Sequence, residues 1–372
     1  MKRRTVFITV ASFSAALLIF SQAVAAQQTN APAPQCVPAA QEVPGGGGAR
    51  GAAGARQGQP AAARGQAAQA PVPRDATITA IPGVVAAGAK WTKIWQQAGN
   101  SADGIIPDKD GNVLVAQEDY DAVLKIDANG KASLFLPNAK GLGSIAMDRQ
   151  GRLYGAHRTE RPGSTKPDRD SIINAISILT PNGKVLADKW TDGKALTVRP
   201  NDLAADGQGG VYFTSGCLYY ATSKGVSVAA EDLRTNGIVF SPDDKILYVT
   251  NGGSVVAFDV KGPGMLANRR DFAKLDGGGG DGSAVDTEGR LYVTTRSGVQ
   301  VLDKTGKSLG IIPTPRDPIS VAFAGSGKKT LFMVGSGAED ANGQPIREGP
   351  QQTAATIYKL PMIAEGVKGR AK

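Results

Sequence analysis

Short runs of alternating apolar and polar residues, separated by glycine-containing turns, fill most of the chain. Alternation with a period of two is typical of β-strands that bury one face. No long segment shows the 3.6-residue apolar spacing of an amphipathic helix. The pattern therefore predicts an all-β protein.

One unit recurs along the chain: a small or polar residue, a short apolar run, a turn such as Asp-x-x-Gly, and a second apolar run. Its six copies begin at Asp103, Gly143, Asn201, Asn236, Asp281 and Ile319. The starts are 35 to 58 residues apart, and one four-stranded propeller blade takes about 40–50 residues. We therefore predict a six-bladed β-propeller, with outer strands supplied by residues 76–85 and 91–98. A β-sandwich is the alternative, but six near-equal repeats argue against it.

The first residues are predicted to form a cleavable secretory signal. A basic segment at 2–4 precedes an apolar run at 6–20, and the small residues Ala23 and Ala25 fit a cleavage site. The apolar run is shorter than the roughly 20 residues of a membrane-spanning helix. We therefore expect residues 1–26 to be a signal peptide, with no stable membrane insertion and a periplasmic or secreted mature protein.

Composition then sets the domain boundaries. Residues 27–75 are rich in alanine, glycine, proline and glutamine and contain almost no large apolar residue, so we expect a disordered linker. The propeller is expected over 76–362, followed by a basic tail over 363–372. The first 75 residues carry five of the nine net positive charges. The remainder lacks a basic stripe interleaved with aromatic residues, so nucleic-acid binding is not expected.

Scarce histidine and cysteine restrict the possible chemistry. The chain has one histidine and two cysteines, which excludes two-histidine metal sites, zinc fingers and iron–sulfur frameworks. Cys36 and Cys217 could pair in an oxidising compartment, and the sequence leaves this open. His157 begins a polar stretch over 157–171 that we expect to be a surface loop, either solvated or covering a cavity.

The first position of the repeat suggests a binding site. In a propeller the innermost strands line the central channel, so equivalent positions form a ring around it. Four of the six first positions carry oxygen donors: Asp103, Asn201, Asn236 and Asp281. Converging carboxylate and amide oxygens are stabilised by a divalent cation. The alternative is that these residues only initiate turns.

Four sequence blocks resemble one family. RPND at 199–202, TNGIVFSPDDKILYV at 235–249 and GDGSAVDTEGRLYV at 280–293 are similar to signature blocks of the senescence-marker-protein/gluconolactonase/luciferin-regenerating-enzyme family, and DGIIPDKDGNVLV at 103–115 resembles its opening segment. The resemblance implies a six-bladed propeller with one divalent ion in the channel and hydrolysis of lactones or related esters.

Carried to this sequence, the resemblance implies that Asp103, Asn236 and Asp281 bind the metal and that Asp281 is also the general base. Asp103 stands where the family usually has glutamate. Arg199 and Asn201 match the family's substrate-contacting residues, and Asn201 could also ligate the ion directly or through water. The ion is expected to be Ca²⁺, with Zn²⁺, Mn²⁺ and Mg²⁺ as alternatives.

Two functions follow from the sequence. The first is an exported, divalent-metal-dependent lactone hydrolase, gluconolactonase-like, acting on a small sugar-like lactone as a monomer. The second is a non-catalytic propeller with a structural metal that binds a sugar or a protein partner. Fold alone does not separate them.

Overall fold

The computed structural model of the chain describes residues 74–97, 104–159, 173–346 and 355–369. In these ranges the regular structure is almost entirely β, with no α-helix and two short 3₁₀ helices at Glu118–Tyr120 and Ser326–Lys328. The all-β prediction is confirmed.

The described strands form five antiparallel sheets. Strand β1 (Thr92–Gln97) precedes a sheet made of β2 (Ile105–Pro107), β3 (Val113–Gln117), β4 (Ala122–Ile126) and β5 (Ala132–Leu136). The next sheet contains β6 (Leu142–Met147), β7 (Leu153–His157), β8 (Ala175–Thr180) and β9 (Lys184–Ala187). In both sheets, strand order follows chain order, as in a propeller blade.

The third sheet has six strands: β10 (Leu203–Ala205), β11 (Val211–Thr222), β12 (Gly225–Phe240), β13 (Ile246–Asn251), β14 (Ser254–Gly262) and β15 (Met265–Lys274). The long strand β12 joins two units, because its first half pairs with β11 at Ala221↔Val226 and its second half with β13 at Ile238↔Val249. The second half of β12 begins a new run of four strands that ends at β15.

The fourth sheet contains β16 (Ser283–Val285), β17 (Leu291–Thr295), β18 (Gly298–Leu302) and β19 (Ser308–Ile312). The fifth contains β20 (Pro318–Ala324), β21 (Thr330–Ser336) and β22 (Ala355–Pro361), with β1 at its edge.

The two predicted outer strands before residue 103 have different outcomes. For the prediction over 91–98, an outer strand is confirmed at Thr92–Gln97, since β1 pairs with β22 in the fifth sheet. The prediction of a strand over 76–85 is wrong. These residues form a turn with only an isolated bridge, Ile81↔Val85, because Pro82 and the left-handed Gly83 (φ 71°) reverse the chain. Their apolar side chains nevertheless pack in the core.

The innermost strands contact one another in cyclic order: β2 with β6, β6 with β10, β10 with β12, β12 with β16, β16 with β20, and β20 with β2. Apolar clusters fill the spaces between consecutive sheets. For example, Leu114 clusters with Leu153, Ala156 with Phe213, and Val115 with Phe332. The architecture is all-β and propeller-like, with the beginnings of the inner strands placed close together.

The turns of the repeat are held by aspartate. Oδ1 of Asp148 accepts hydrogen bonds from the backbone N–H groups of Gln150 and Arg152, at 2.9 Å each. Gly151 supplies the left-handed conformation (φ 78°) that the turn requires. Aspartate in the repeat thus serves to close hairpin turns.

A second aspartate turn also anchors the core. Asp286 is fully buried, and its Oδ2 accepts hydrogen bonds from Arg290 Nε at 2.6 Å and from the Tyr292 hydroxyl at 2.8 Å. Burial and the neighbouring Asp286 carboxylate raise the pKa of Tyr292, so its hydroxyl keeps the donated proton.

Several sequence predictions fall partly or wholly outside the described ranges. Residues 1–73, which hold the predicted signal peptide and nearly all of the predicted linker, are among them, as are Asp103 and residues 160–172. Within the described ranges, no helix has the length and apolar character needed to cross a membrane. Beyond Met362, Ile363 and Gly366 donate backbone hydrogen bonds to Val84 and Lys328, so the predicted tail begins with residues that contact the fold.

Cys217 lies buried in β11. It is disulfide-bonded. The other cysteine of the chain, Cys36, lies outside the described ranges.

We predict that Asp286→Asn lowers the free energy of unfolding by about 3 kcal/mol, because the new amide places N–H donors against Arg290 and Tyr292 in a buried site. Chemical denaturation measures the effect. Asp303→Asn is the control. Asp303 accepts turn hydrogen bonds from the backbone N–H groups of Thr305 and Lys307, as Asp286 does from those of Glu288 and Arg290, but Asp303 is partly exposed. Equal losses in both variants would contradict a special role for the buried network.

Candidate functional site

Three of the predicted site residues lie at the starts of neighbouring inner strands. Asn201 precedes β10, Asn236 lies in β12 where its second half begins, and Asp281 precedes β16. Asn201 Nδ2 donates a hydrogen bond to Asn236 Oδ1 at 2.5 Å. All three residues are partly buried. The fourth predicted residue of this set, Asp103, lies outside the described ranges.

Close backbone contact holds Asn236 beside Asp281. A methyl group placed on Gly237 would lie 1.9 Å from the carbonyl oxygen of Asp281, well inside van der Waals contact. Glycine at this position therefore lets the two strands approach closely. On the other side, the Thr214 hydroxyl donates to the carbonyl oxygen of Asn236 at 2.5 Å and fixes the strand.

Arg199 is held by an acid that the sequence analysis did not identify. Arg199 Nη2 donates to Glu118 Oε1 at 3.0 Å, and its Nε donates to the carbonyl oxygen of Thr159 at 2.8 Å. Glu118 lies in the 3₁₀ helix after β3 and is only 3% exposed. The structure thus positions Arg199 through Glu118 and the backbone of Thr159.

Arg158 is the second residue that the sequence analysis missed. Its side chain is 3% exposed and donates from Nη2 to Glu118 Oε2 at 2.7 Å and from Nη1 to Asn201 Oδ1 at 2.9 Å. The only sequence signal was indirect. Gly143, the first residue of the second repeat, has no side chain in the ring, and Arg158 fills that space.

Asp202, next to Asn201, links the inner strands β6, β10 and β12. Its Oδ1 accepts from the Ser144 hydroxyl at 2.8 Å, and its Oδ2 accepts from the backbone N–H of Ile238 at 3.3 Å. Asp202 is 6% exposed. Its contacts give it a structural use, which the RPND block did not reveal.

His157 corrects one expectation. It is the last residue of β7 and pairs with Ala175, so the predicted loop cannot begin at this residue. Its Nδ1 lies 2.7 Å from the carbonyl oxygen of Lys140, which makes Nδ1 the protonated nitrogen. Its Nε2 is buried and has no hydrogen-bond partner among the residues that the structure describes. Burial lowers the pKa of His157.

The donor set is compatible with a hard divalent cation. Asn236 offers an amide oxygen and Asp281 a carboxylate, the oxygen ligands that such ions prefer. Asn201 Oδ1 accepts a hydrogen bond from Arg158, and Asn236 Oδ1 accepts one from Asn201. An amide oxygen has two lone pairs, so each of these oxygens can still ligate an ion. Within the described ranges there is no group of three or more histidine, cysteine, aspartate or glutamate residues that could hold a metal. The predicted ligand set is of a different kind. One of its members, Asn236, is an amide, and another, Asp103, lies outside the described ranges.

The fold and the site together define a class: propeller-like proteins with a polar site where the inner strands begin. Residues 132–337 match the SMP-30/Gluconolactonase/LRE-like region, which is more than half of the chain. This chain belongs to that family, and the sequence resemblance is confirmed.

Solved structures of similar proteins cover most of the chain. A gluconolactonase from Xanthomonas campestris is 25% identical with a TM-score of 0.58, and the match covers 80% of this chain and 98% of that one. The calcium-binding protein regucalcin from Agrobacterium tumefaciens is 16% identical with a TM-score of 0.53, over 73% and 92% of the two chains. The second likeness shows the fold alone.

Curated relatives match over shorter stretches. The 6-deoxy-6-sulfogluconolactonase of Pseudomonas putida is 31% identical over 148 residues, which is 37% of this chain and 50% of the relative. This chain spans between 28% and 55% of the length of the first curated relatives it matches.

We predict that Gly237→Ala destabilises the protein by about 1–3 kcal/mol, because the added methyl group forces apart the strands carrying Asn236 and Asp281. Thermal or chemical unfolding measures this. Gly253→Ala is the matched control, since the nearest atom to its added methyl group is 3.9 Å away and neither glycine has a left-handed backbone. Equal stability of the two variants would show that the close contact with Asp281 is unimportant.

We predict that the single histidine titrates below its ordinary pKa of 6.5 in the folded protein. Because the folded pKa of His157 is depressed, its neutral form contributes stability that is present above the unfolded pKa and is lost as the pH falls through the folded pKa. Proton NMR of the lone imidazole measures the pKa. A value at or above 6.5 would contradict the burial of this ring.

Proposed function

We propose that this protein is an exported, six-bladed propeller that hydrolyses lactones at the starts of its inner strands, with a bound divalent cation. Family membership and the likeness to a gluconolactonase support the reaction class. The observation that carries the proposal is the convergence of Asn201, Asn236 and Asp281, with two of these side chains joined by a hydrogen bond.

Six blades are proposed from the contacts of the inner strands. Each inner strand contacts the next, and β20 contacts β2. Counting the second half of β12 as the inner strand of its own blade gives six units. Strand β1 then closes the last blade beside β22, which joins the two ends of the chain's described fold.

In the proposed reaction, Asp281 accepts a proton from a water molecule whose oxygen bonds to the lactone carbonyl carbon. The ring C–O bond then breaks, and the departing ring oxygen takes a proton to give the hydroxy acid. Asn201 Nδ2 and the Arg199 guanidinium are suited to donate hydrogen bonds to substrate oxygens, because both present N–H groups.

Asp103, Asn236 and Asp281 are the proposed ligands of the cation. When bound, a divalent ion supplies Lewis-acid polarisation of a carbonyl group. Ca²⁺ is the first candidate, supported by the oxygen donors of the proposed ligands. Asp103 is one methylene shorter than glutamate, so its reach toward the other two ligands is reduced.

Export is proposed from the basic, apolar and small-residue order of the first 26 residues. A mature chain that starts near Gln27 in the periplasm or medium is expected. N-terminal sequencing of the protein from its host is the test, and an intact N-terminus in the cytoplasm would contradict export.

We predict that chelated protein opens aldonolactones only after a divalent cation is added, and that Asp281→Asn lowers kcat by at least about 100-fold, because the neutral amide cannot accept the proton. Acid release measures turnover with Ca²⁺, Zn²⁺, Mn²⁺ or Mg²⁺. Asp271→Asn, at an exposed position on β15, is the control and is expected to keep full activity.

Two outcomes would overturn this proposal. Undiminished turnover in Asp281→Asn would remove the assigned base. If an added cation raises the melting temperature while no lactone is opened, the site binds a ligand or a structural ion, and the non-catalytic propeller becomes the better account.

A further inference from the structure

Arg158 is a buried part of the site to which the proposed reaction gives no role. Its guanidinium connects an acid and an amide from different parts of the chain, since it donates to Glu118 Oε2 at 2.7 Å and to Asn201 Oδ1 at 2.9 Å. Both members of the ion pair are nearly inaccessible, with side chains 3% and 4% exposed. A planar guanidinium can make both bonds at once because its N–H groups point in fixed, divergent directions.

Gly143 provides the space for this guanidinium. A methyl group on Gly143 would lie 2.1 Å from Arg158 Nε and 2.2 Å from its Cζ. Gly143 holds the first position of the second repeat, the position at which Asn201, Asn236 and Asp281 carry polar side chains. The guanidinium therefore occupies the part of the ring that a side chain of the second repeat would otherwise fill.

The contact determines which way the Asn201 amide points. A guanidinium only donates hydrogen bonds, so the amide oxygen of Asn201 must face Arg158 and its NH₂ group must face Asn236 Oδ1. Rotating the amide by half a turn would set donor against donor at Arg158 and oxygen against oxygen at Asn236. Both pairings are unfavourable, so a single orientation is fixed.

We infer that Arg158 is a positioning residue that holds Asn201 with its N–H donors toward the site, and that Gly143 is required to admit it. The use of those donors on a substrate oxygen rests on the proposed function. The orientation of the amide does not, because it follows from contacts within the chain.

Glu118 compensates the buried positive charge of Arg158. An unpaired buried guanidinium is costly, whereas the Glu118 carboxylate compensates Arg158 through one oxygen and Arg199 through the other. Replacing Arg158 with a neutral residue would disturb this balance of charge. Arg158→Lys keeps the positive charge beside Glu118 but has a single nitrogen on a flexible stem, which cannot reproduce the fork to Asn201.

Two variants therefore test the same contact in different ways. Arg158→Lys removes the fork, and Gly143→Ala keeps Arg158 but pushes its guanidinium out of place. Gly143 does not have a left-handed backbone, so alanine adds only the steric contact. The controls are Arg149→Lys, where a surface arginine donates to Asp244 and Pro242, and Gly253→Ala.

The direct readout is the side-chain NH₂ signal of Asn201 in full-length protein labelled with ¹⁵N-asparagine, assigned by its loss in Asn201→Ala. We expect this signal to shift and its hydrogen exchange to accelerate in Arg158→Lys and Gly143→Ala, with no change in the two controls. An unchanged Asn201 signal in both test variants would overturn the inference.

The kinetic readout separates positioning from general stability. We expect Arg158→Lys and Gly143→Ala each to lower kcat/KM for the lactone by about 10–100-fold, and to have almost no further effect in protein that already carries Asn201→Ala. The same loss in both backgrounds would show that Arg158 acts through the fold and not through Asn201. If the unaltered protein opens no lactone while the Asn201 signal still responds, the positioning inference stands and the proposed function fails.

Discussion

The starts of the inner strands lie so close together that their polar groups must satisfy one another. The clearest case is the contact of Gly237 with the backbone of Asp281, where even a methyl group would collide. In such a confined place a carboxylate or an amide that lacks a partner loses hydration without compensation. The chain resolves this with a connected set of contacts that runs from Glu118 through Arg158 and Asn201 to Asn236.

That connected set gives each polar group a defined direction. The oxygen of Asn201 accepts from Arg158, so its NH₂ group donates toward Asn236. Asn236 carries an amide oxygen and Asp281 a carboxylate, on adjacent inner strands. The proposed reaction uses both kinds of group: N–H groups that hydrogen-bond a substrate oxygen, and oxygen atoms that ligate a hard cation.

The repeat made most of the fold predictable. Period-two alternation and aspartate turns identify strands and hairpins because both are local properties of the chain, and β1 was recognisable as an outer strand for the same reason. Residues 76–85 look like a strand by composition, yet they fold into a turn, since Pro82 and Gly83 reverse the backbone. The sequence could predict that Asn201, Asn236 and Asp281 lie near one another, because residues at the first position of each repeat fall at the starts of neighbouring inner strands. The repeat pattern did not identify Glu118 or Arg158, because they follow β3 and β7, the second strands of their sheets. The only sequence signal was the glycine at Gly143, which leaves the first position of the second repeat without a side chain.

The central claim is that Asn236 and Asp281 hold a divalent cation beside the amide donors of Asn201. A crystal structure of the full chain grown with Mn²⁺ and an aldonate product tests it most directly, because anomalous scattering locates the ion. The account predicts an ion bound by Asn236 and Asp281, with the aldonate carboxylate on the side of Asn201. An ion bound elsewhere, or an Asn201 amide whose oxygen faces that ion, would contradict it.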